Sequence, residues 1–84
     1  MDRKFYEERD MAFIDAVLND NWDGVIAFWK KQNIPVPKNE RVVKAAVYKA
    51  VQYCLDIPVD VKGIALEKCL ELGMSPFINW EGKQ

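Results

Sequence analysis

The sequence has no histidine and a single serine, Ser75, which sits directly before Pro76. The first absence removes the commonest general base, and it leaves the serine without an imidazole to activate it. The two cysteines, Cys54 and Cys69, do not form a C-x-x-C pair, and with no histidine they make a poor zinc site. The four glycines are scattered singly, so there is no Gly-rich loop to cradle phosphate. Long apolar runs are also missing. The longest, Gly24 to Trp29, is far shorter than the roughly 20 residues of a membrane span. The opening MDRKFYEERD is mostly charged and offers no signal-peptide core. Together these absences predict a cytoplasmic, non-catalytic chain with no cofactor, no metal and no membrane segment. Its thiols are expected to be reduced and buried as small hydrophobes.

Carboxylates are more numerous but do not form a catalytic pattern. Glu7 with Glu8, and Asp56 with Asp60, read as solvated side chains or as supports for helix starts. N-D-N-W-D-G at 19–24 imitates the beginning of a calcium loop but lacks the distal glutamate.

What the chain does have is apolar and aromatic weight. Half of its 84 residues are hydrophobic, with three Trp, three Tyr and four Phe. That suits one folded domain, 1–84, with a small core. The net charge is only −1, but it is unevenly distributed. Residues 1–23 carry seven acids and three bases, 24–49 carry six bases and one acid, and 50–84 carry five acids and three bases. A basic middle is therefore flanked by acidic ends.

Breakers at 19–21, 33–39 and 56–60, and a G-M-S-P from Gly73, cut the chain into four helix-length pieces and a tail. The first piece runs to about Asn19. Met11, Ile14 and Leu18 share one face with Phe13, Ala16 and Val17 beside it, so this stretch is expected to be largely buried. The second spans about 22–32. Asp20 or Asn21 caps it, and Trp22, Val25, Ile26 and Trp29 follow the i, i+3, i+4, i+7 rule. Asn33 suits a left-handed residue after it, and Pro35 and Pro37 forbid continuation. The third spans 39–55 and is capped by Asn39. Val43, Ala46, Val47, Ala50, Val51 and Cys54 fall on one side. Arg41, Lys44, Ala45, Tyr48 and Gln52 fall on the other, with Lys49 on the flank. The fourth spans about 58–72, with Ala65, Leu66, Cys69 and Leu70 as its inner stripe and Gly73 as its stop. The expected fold is all-α: a compact four-helix domain of two helical hairpins. The tail, carrying Phe77, Ile78 and Trp80, is expected to pack back.

Two endings echo each other, AFWKKQNIPVP and LEKCLELGMSPFI. They resemble the second helix and exit turn of ankyrin repeats. The T-P-L-H type opening of such repeats is missing from both halves, so the resemblance implies helix-hairpin geometry only. The stretches N-W-D-G-V-I-A-F-W, N-I-P-V-P-K-N-E and V-Y-K-A-V-Q-Y-C make the chain similar to small uncharacterised helical proteins of bacterial phages and mobile elements. That resemblance implies an accessory factor that binds a host or defence protein, and it brings no site residues with it.

Two binding modes follow. The first is contact with an unidentified protein partner, through aromatics off the core stripes: Phe5, Tyr6 and Trp80 above all, with Tyr48 and Tyr53 also available. Charge asymmetry also permits a homodimer paired head to tail. The second is DNA. Lys38, Arg41, Lys44, Tyr48, Lys49 and Gln52 would then form the exposed face of a helix-turn-helix-like recognition helix over 39–55. Against it stand a long connector with two prolines, the acidic overall balance, and the ordinary use of basic side chains as a solvated face.

Overall fold

The computed structural model describes residues 3–73. Four helices occupy them: α1 (Arg3–Asn19), α2 (Trp22–Lys31), α3 (Glu40–Val51) and α4 (Val59–Glu71). α1 pairs with α2 and α3 with α4, and α1 also lies against α4 and α3, joining the two hairpins. The fold is all-α, as the spacing predicts. The Phe77, Ile78 and Trp80 tail lies outside the described residues. No helix among the described residues is long and apolar enough to cross a membrane.

The helix ends are set by local chemistry. Asp20 takes a left-handed conformation (φ 58°), and its N–H bonds Ala16 O at 2.9 Å, closing α1. Of the two candidate caps for α2, Asn21 does the work. Its Oδ1 accepts from Gly24 N at 3.2 Å. A Cβ at Gly24 would lie 3.2 Å from Asn21 Nδ2, so the glycine gives this cap its room. α2 ends as expected on Asn33 (φ 61°). Ile34 N reaches Trp29 O at 2.8 Å and Asn33 N reaches Lys30 O at 3.1 Å, the paired bonds of a Schellman turn. Asn39 Oδ1 accepts from Arg41 N at 2.8 Å at the start of α3. Gly73 (φ 79°) stops α4.

One core cluster draws on every helix. It contains Phe13, Ala16 and Val17 from α1, Trp22 and Val25 from α2, Val43, Val47, Tyr48 and Val51 from α3, and Val61, Ala65 and Cys69 from α4. Each fully buried valine is worth roughly 1.5–3 kcal/mol relative to exposure. Cys54 and Ile57, from the α3–α4 connector, complete the cluster. Both cysteines are buried and neither is in a disulfide, and burial pushes both thiols up from their ordinary pKa.

Several faces are turned from where periodicity put them. On α1 the stripe that enters the core is Phe13, Ala16 and Val17, with Asp10. Met11 is 71% exposed and Leu18 47%. α1 has apolar residues on two sides, and the α3–α4 hairpin covers only one. On α2, Phe28 is buried while Ile26 and Trp29 are half-buried. α3 is rotated by about one residue. Ala45 and Tyr48, expected outside, are buried, and Ala46, expected inside, is exposed. Tyr48 is drawn inward because its ring meets Trp22 edge-on at 5.5 Å. α3 also ends at Val51 rather than near Leu55. From there Tyr53, Cys54 and Ile57 donate to residues three back, a tighter path that brings both Cys54 and Ile57 into the core. On α4, Val61 joins Ala65 and Cys69 inside, Leu66 is half-buried, and Leu70 faces solvent.

Candidate functional site

The basic face of α3 is largely engaged within the molecule. The Arg41 guanidinium donates to the backbone carbonyl of Leu72, at the C-terminus of α4. That carbonyl belongs to the last turn of a helix and needs a donor, and a cation is favoured there by the helix dipole. Lys44 Nζ lies 3.7 Å from Glu40 Oε2 and 5.8 Å from the centre of the Trp22 ring. Tyr48 is core, and burial raises its phenol pKa, with the charge of Asp20 adding to the effect. Gln52 Nε2 donates to Lys62 O at 2.9 Å, fastening the connector to α4. Lys49 is half-buried, and Lys38 and Arg41 are the two of the six that are exposed.

The two candidate aromatics within the described residues have different surroundings. Phe5 is half-buried and touches Phe28 of α2 at 5.4 Å, a contact internal to the first hairpin. Tyr6 is 37% exposed and carries the Arg9 guanidinium 4.8 Å above its ring. Trp80 lies outside the described residues.

Tyr6 opens onto a surface that the sequence did not single out. The large apolar side chains left in solvent include Met11, Tyr53 and Leu55, the last 93% exposed. With Tyr6, Arg9 and Asp10 they line a groove of about 790 Å³ between the first half of α1 and the connector after α3. A second groove of about 560 Å³ continues along α1, lined by Met11, Ala12, Ile14, Asp15 and Asn19. Met11 lines both, so the two grooves adjoin along α1. The signal was present in the sequence as Met11 and Ile14, two members of a stripe that periodicity alone assigns to a core.

The charges at this surface are ordered. Asp10 is the one buried charged residue among those described, and its Oδ1 accepts from Arg9 Nε at 3.0 Å and Nη2 at 2.8 Å. Asp15 accepts from Asn19 Nδ2 at 2.7 Å and Asn21 Nδ2 at 2.6 Å. These two donors hold its carboxyl below the usual pKa, the Asn21 bond contributing most. Among the described residues no three His, Cys, Asp or Glu side chains are grouped so as to hold a metal ion. Comparison with protein-family models, curated proteins and solved structures gives no match.

Proposed function

We propose that this chain is a non-catalytic protein-binding module, and that its contact surface is the outer face of α1 continued by the Tyr53–Leu55 turn. One observation carries the reading. The most exposed large apolar side chains include Leu55, Val59 and Met11, and two of these three line a pair of grooves that share Met11. Contiguous exposed apolar surface of this kind, rimmed by charge, is characteristic of interaction sites. The burial of both thiols, with raised pKa, also disfavours either as a nucleophile. The resemblance to phage and mobile-element proteins extends the proposal to a host or defence protein as the partner, with the cytoplasm as the place of encounter.

The DNA reading has less support, because Arg41, Lys44, Tyr48 and Gln52 already have intramolecular partners. The test sets the two surfaces against each other. A photo-crosslinking residue is placed at Leu55 in one sample and at Lys38 in another, and both are exposed to cell extract. Labelled mixed-sequence duplex DNA is titrated in parallel by fluorescence anisotropy over a range of salt. The expected result is discrete protein adducts from position 55, lost on Met11→Glu, with no duplex binding at low salt. Duplex binding that falls by several logs as salt rises would transfer the function to the basic face.

A further inference from the structure

The two grooves together follow α1 along its length. They are lined from Arg3 to Asn19, the full 17 residues of the helix. At 1.5 Å per residue this is about 25 Å. A metabolite would cover a fraction of that length. The described backbone is helix and turn, with no sheet edge to which an extended peptide could add a strand. An occupant that matches the length is another helix, seated on the grooves that adjoin at Met11, against the part of Ile14 left open beside it.

The rim selects the kind of helix. Glu7, Asp15 and Asp56 border the grooves. Asp15 is held in place by its two asparagine donors and points one fixed negative charge at the second groove. The central cation, Arg9, is committed to Asp10 and to the face of Tyr6. Arg3, at the far end, is the other cation of the lining. A second copy docking by the same face would set Asp15 and Glu7 against their own equivalents. An anionic membrane surface meets the same repulsion.

We infer that α1 and the Tyr53–Leu55 turn form a docking groove for a single amphipathic helix of a partner protein, with apolar residues at i, i+3 or i+4, and i+7, flanked by Lys or Arg. This rests on the protein-binding reading above and specifies its partner. The apolar anchors enter the grooves on either side of Met11, and the basic flanks meet Asp15 at one end and Glu7 with Asp56 at the other.

The test uses the whole chain and a displayed library of peptides randomised on an alanine-rich helical scaffold. Selected peptides are expected to carry the apolar spacing and a net positive flank. Changing those flanking bases to Glu should weaken binding about tenfold or more. Met11→Glu with Leu55→Glu should weaken it about a hundredfold, with helix content and denaturation midpoint unchanged. Met11→Gln provides a milder variant should the double one lose its fold. Asp15→Asn should cost a few-fold and make binding less sensitive to salt. Selected peptides that are acidic, or that lack helical spacing, would overturn this inference while leaving a protein-binding surface on α1. Peptides that ignore Met11 and Leu55 would overturn both. A wild-type dimer in sedimentation velocity that Met11→Glu converts to monomer would make a second copy the occupant and sink the proposal.

Discussion

The outer faces of α1 and α3 make an instructive pair. α3 presents Arg41, Lys44 and Lys49, the residues that read as a solvated or nucleic-acid-binding face. α1 presents Met11 and Leu18, which read as core with Ile14, although only Ile14 of the three packs against it. In the folded chain the roles cross. Arg41 fastens the end of α4, Lys44 lies over Trp22, and Tyr48 is buried, while Met11 and Leu18 stand in solvent. The lesson is physical. A long cationic side chain can lay its stem on apolar surface and bring its head to a carbonyl or a ring, so basic residues do not by themselves mark a free face. An apolar stripe on a helix marks a contact, but the sequence does not say whether the contact lies within the chain or outside it.

Substitutions at the two faces should separate most widely in stability. Tyr48→Ala removes a buried ring and its edge-on partner, and about 3–5 kcal/mol is expected by urea denaturation. Met11→Glu, on the face that looks like core in the sequence, should stay within about 0.5 kcal/mol of wild type. If Met11→Glu unfolded the domain and Tyr48→Ala did not, the assignment of the two faces would be reversed.

The rotation of α3 can be tested by neighbouring alanines. Ala45→Leu forces a larger side chain into the core and should cost about 1–3 kcal/mol. Ala46→Leu points outward and should be close to neutral. The same denaturation series checks both, and equal costs would place the helix in the phase that periodicity suggests. Arg41→Met keeps the stem and removes the donor to Leu72 O. A loss of about 1 kcal/mol is expected, together with faster amide exchange in the last turn of α4.

The smallest effect belongs to Asp15. Its pKa in the folded chain lies below that of the unfolded chain, because the bonds from Asn21 and Asn19 favour the charged form. Its stabilising contribution is therefore fully present above about pH 4, the ordinary aspartate range, and is lost as pH falls through the folded value. A carboxyl-carbon NMR titration should show the depressed value in wild type and a return toward normal in Asn21→Ala.

The elements themselves were legible, because their ends are written in single residues. Asn21, Asn33, Asn39 and Gly73 each act as cap or stop at the positions their chemistry suggests. The first hairpin follows from the two-residue connection between α1 and α2, whereas the α3–α4 connection is nearly as long as the one between the hairpins. The rotational phase of the helices was not legible. α3 is apolar at Val42, Val43, Ala45, Ala46, Val47 and Tyr48, almost all round, so its inner face is chosen by Trp22 from another helix and not by its own pattern. α1 carries two apolar faces, and only the packing of α4 and α3 against one of them leaves the other free. Tyr6 was found as a contact candidate because it lies off every stripe. Met11 and Leu55 were missed because one lies on a stripe and the other was placed at the end of a helix that stops four residues earlier.

The seat of Trp22 gives the molecule a built-in optical reporter. Its indole belongs to the first hairpin, while the ring and the ammonium beside it, from Tyr48 and Lys44, belong to the second. Trp29, by contrast, faces Phe13 within its own hairpin. In a variant that keeps Trp22 as its only tryptophan, emission would follow the docking of one hairpin on the other. A variant that keeps only Trp29 would follow the closing of a single hairpin. Two stopped-flow traces would then time local assembly and global assembly separately in the same small chain.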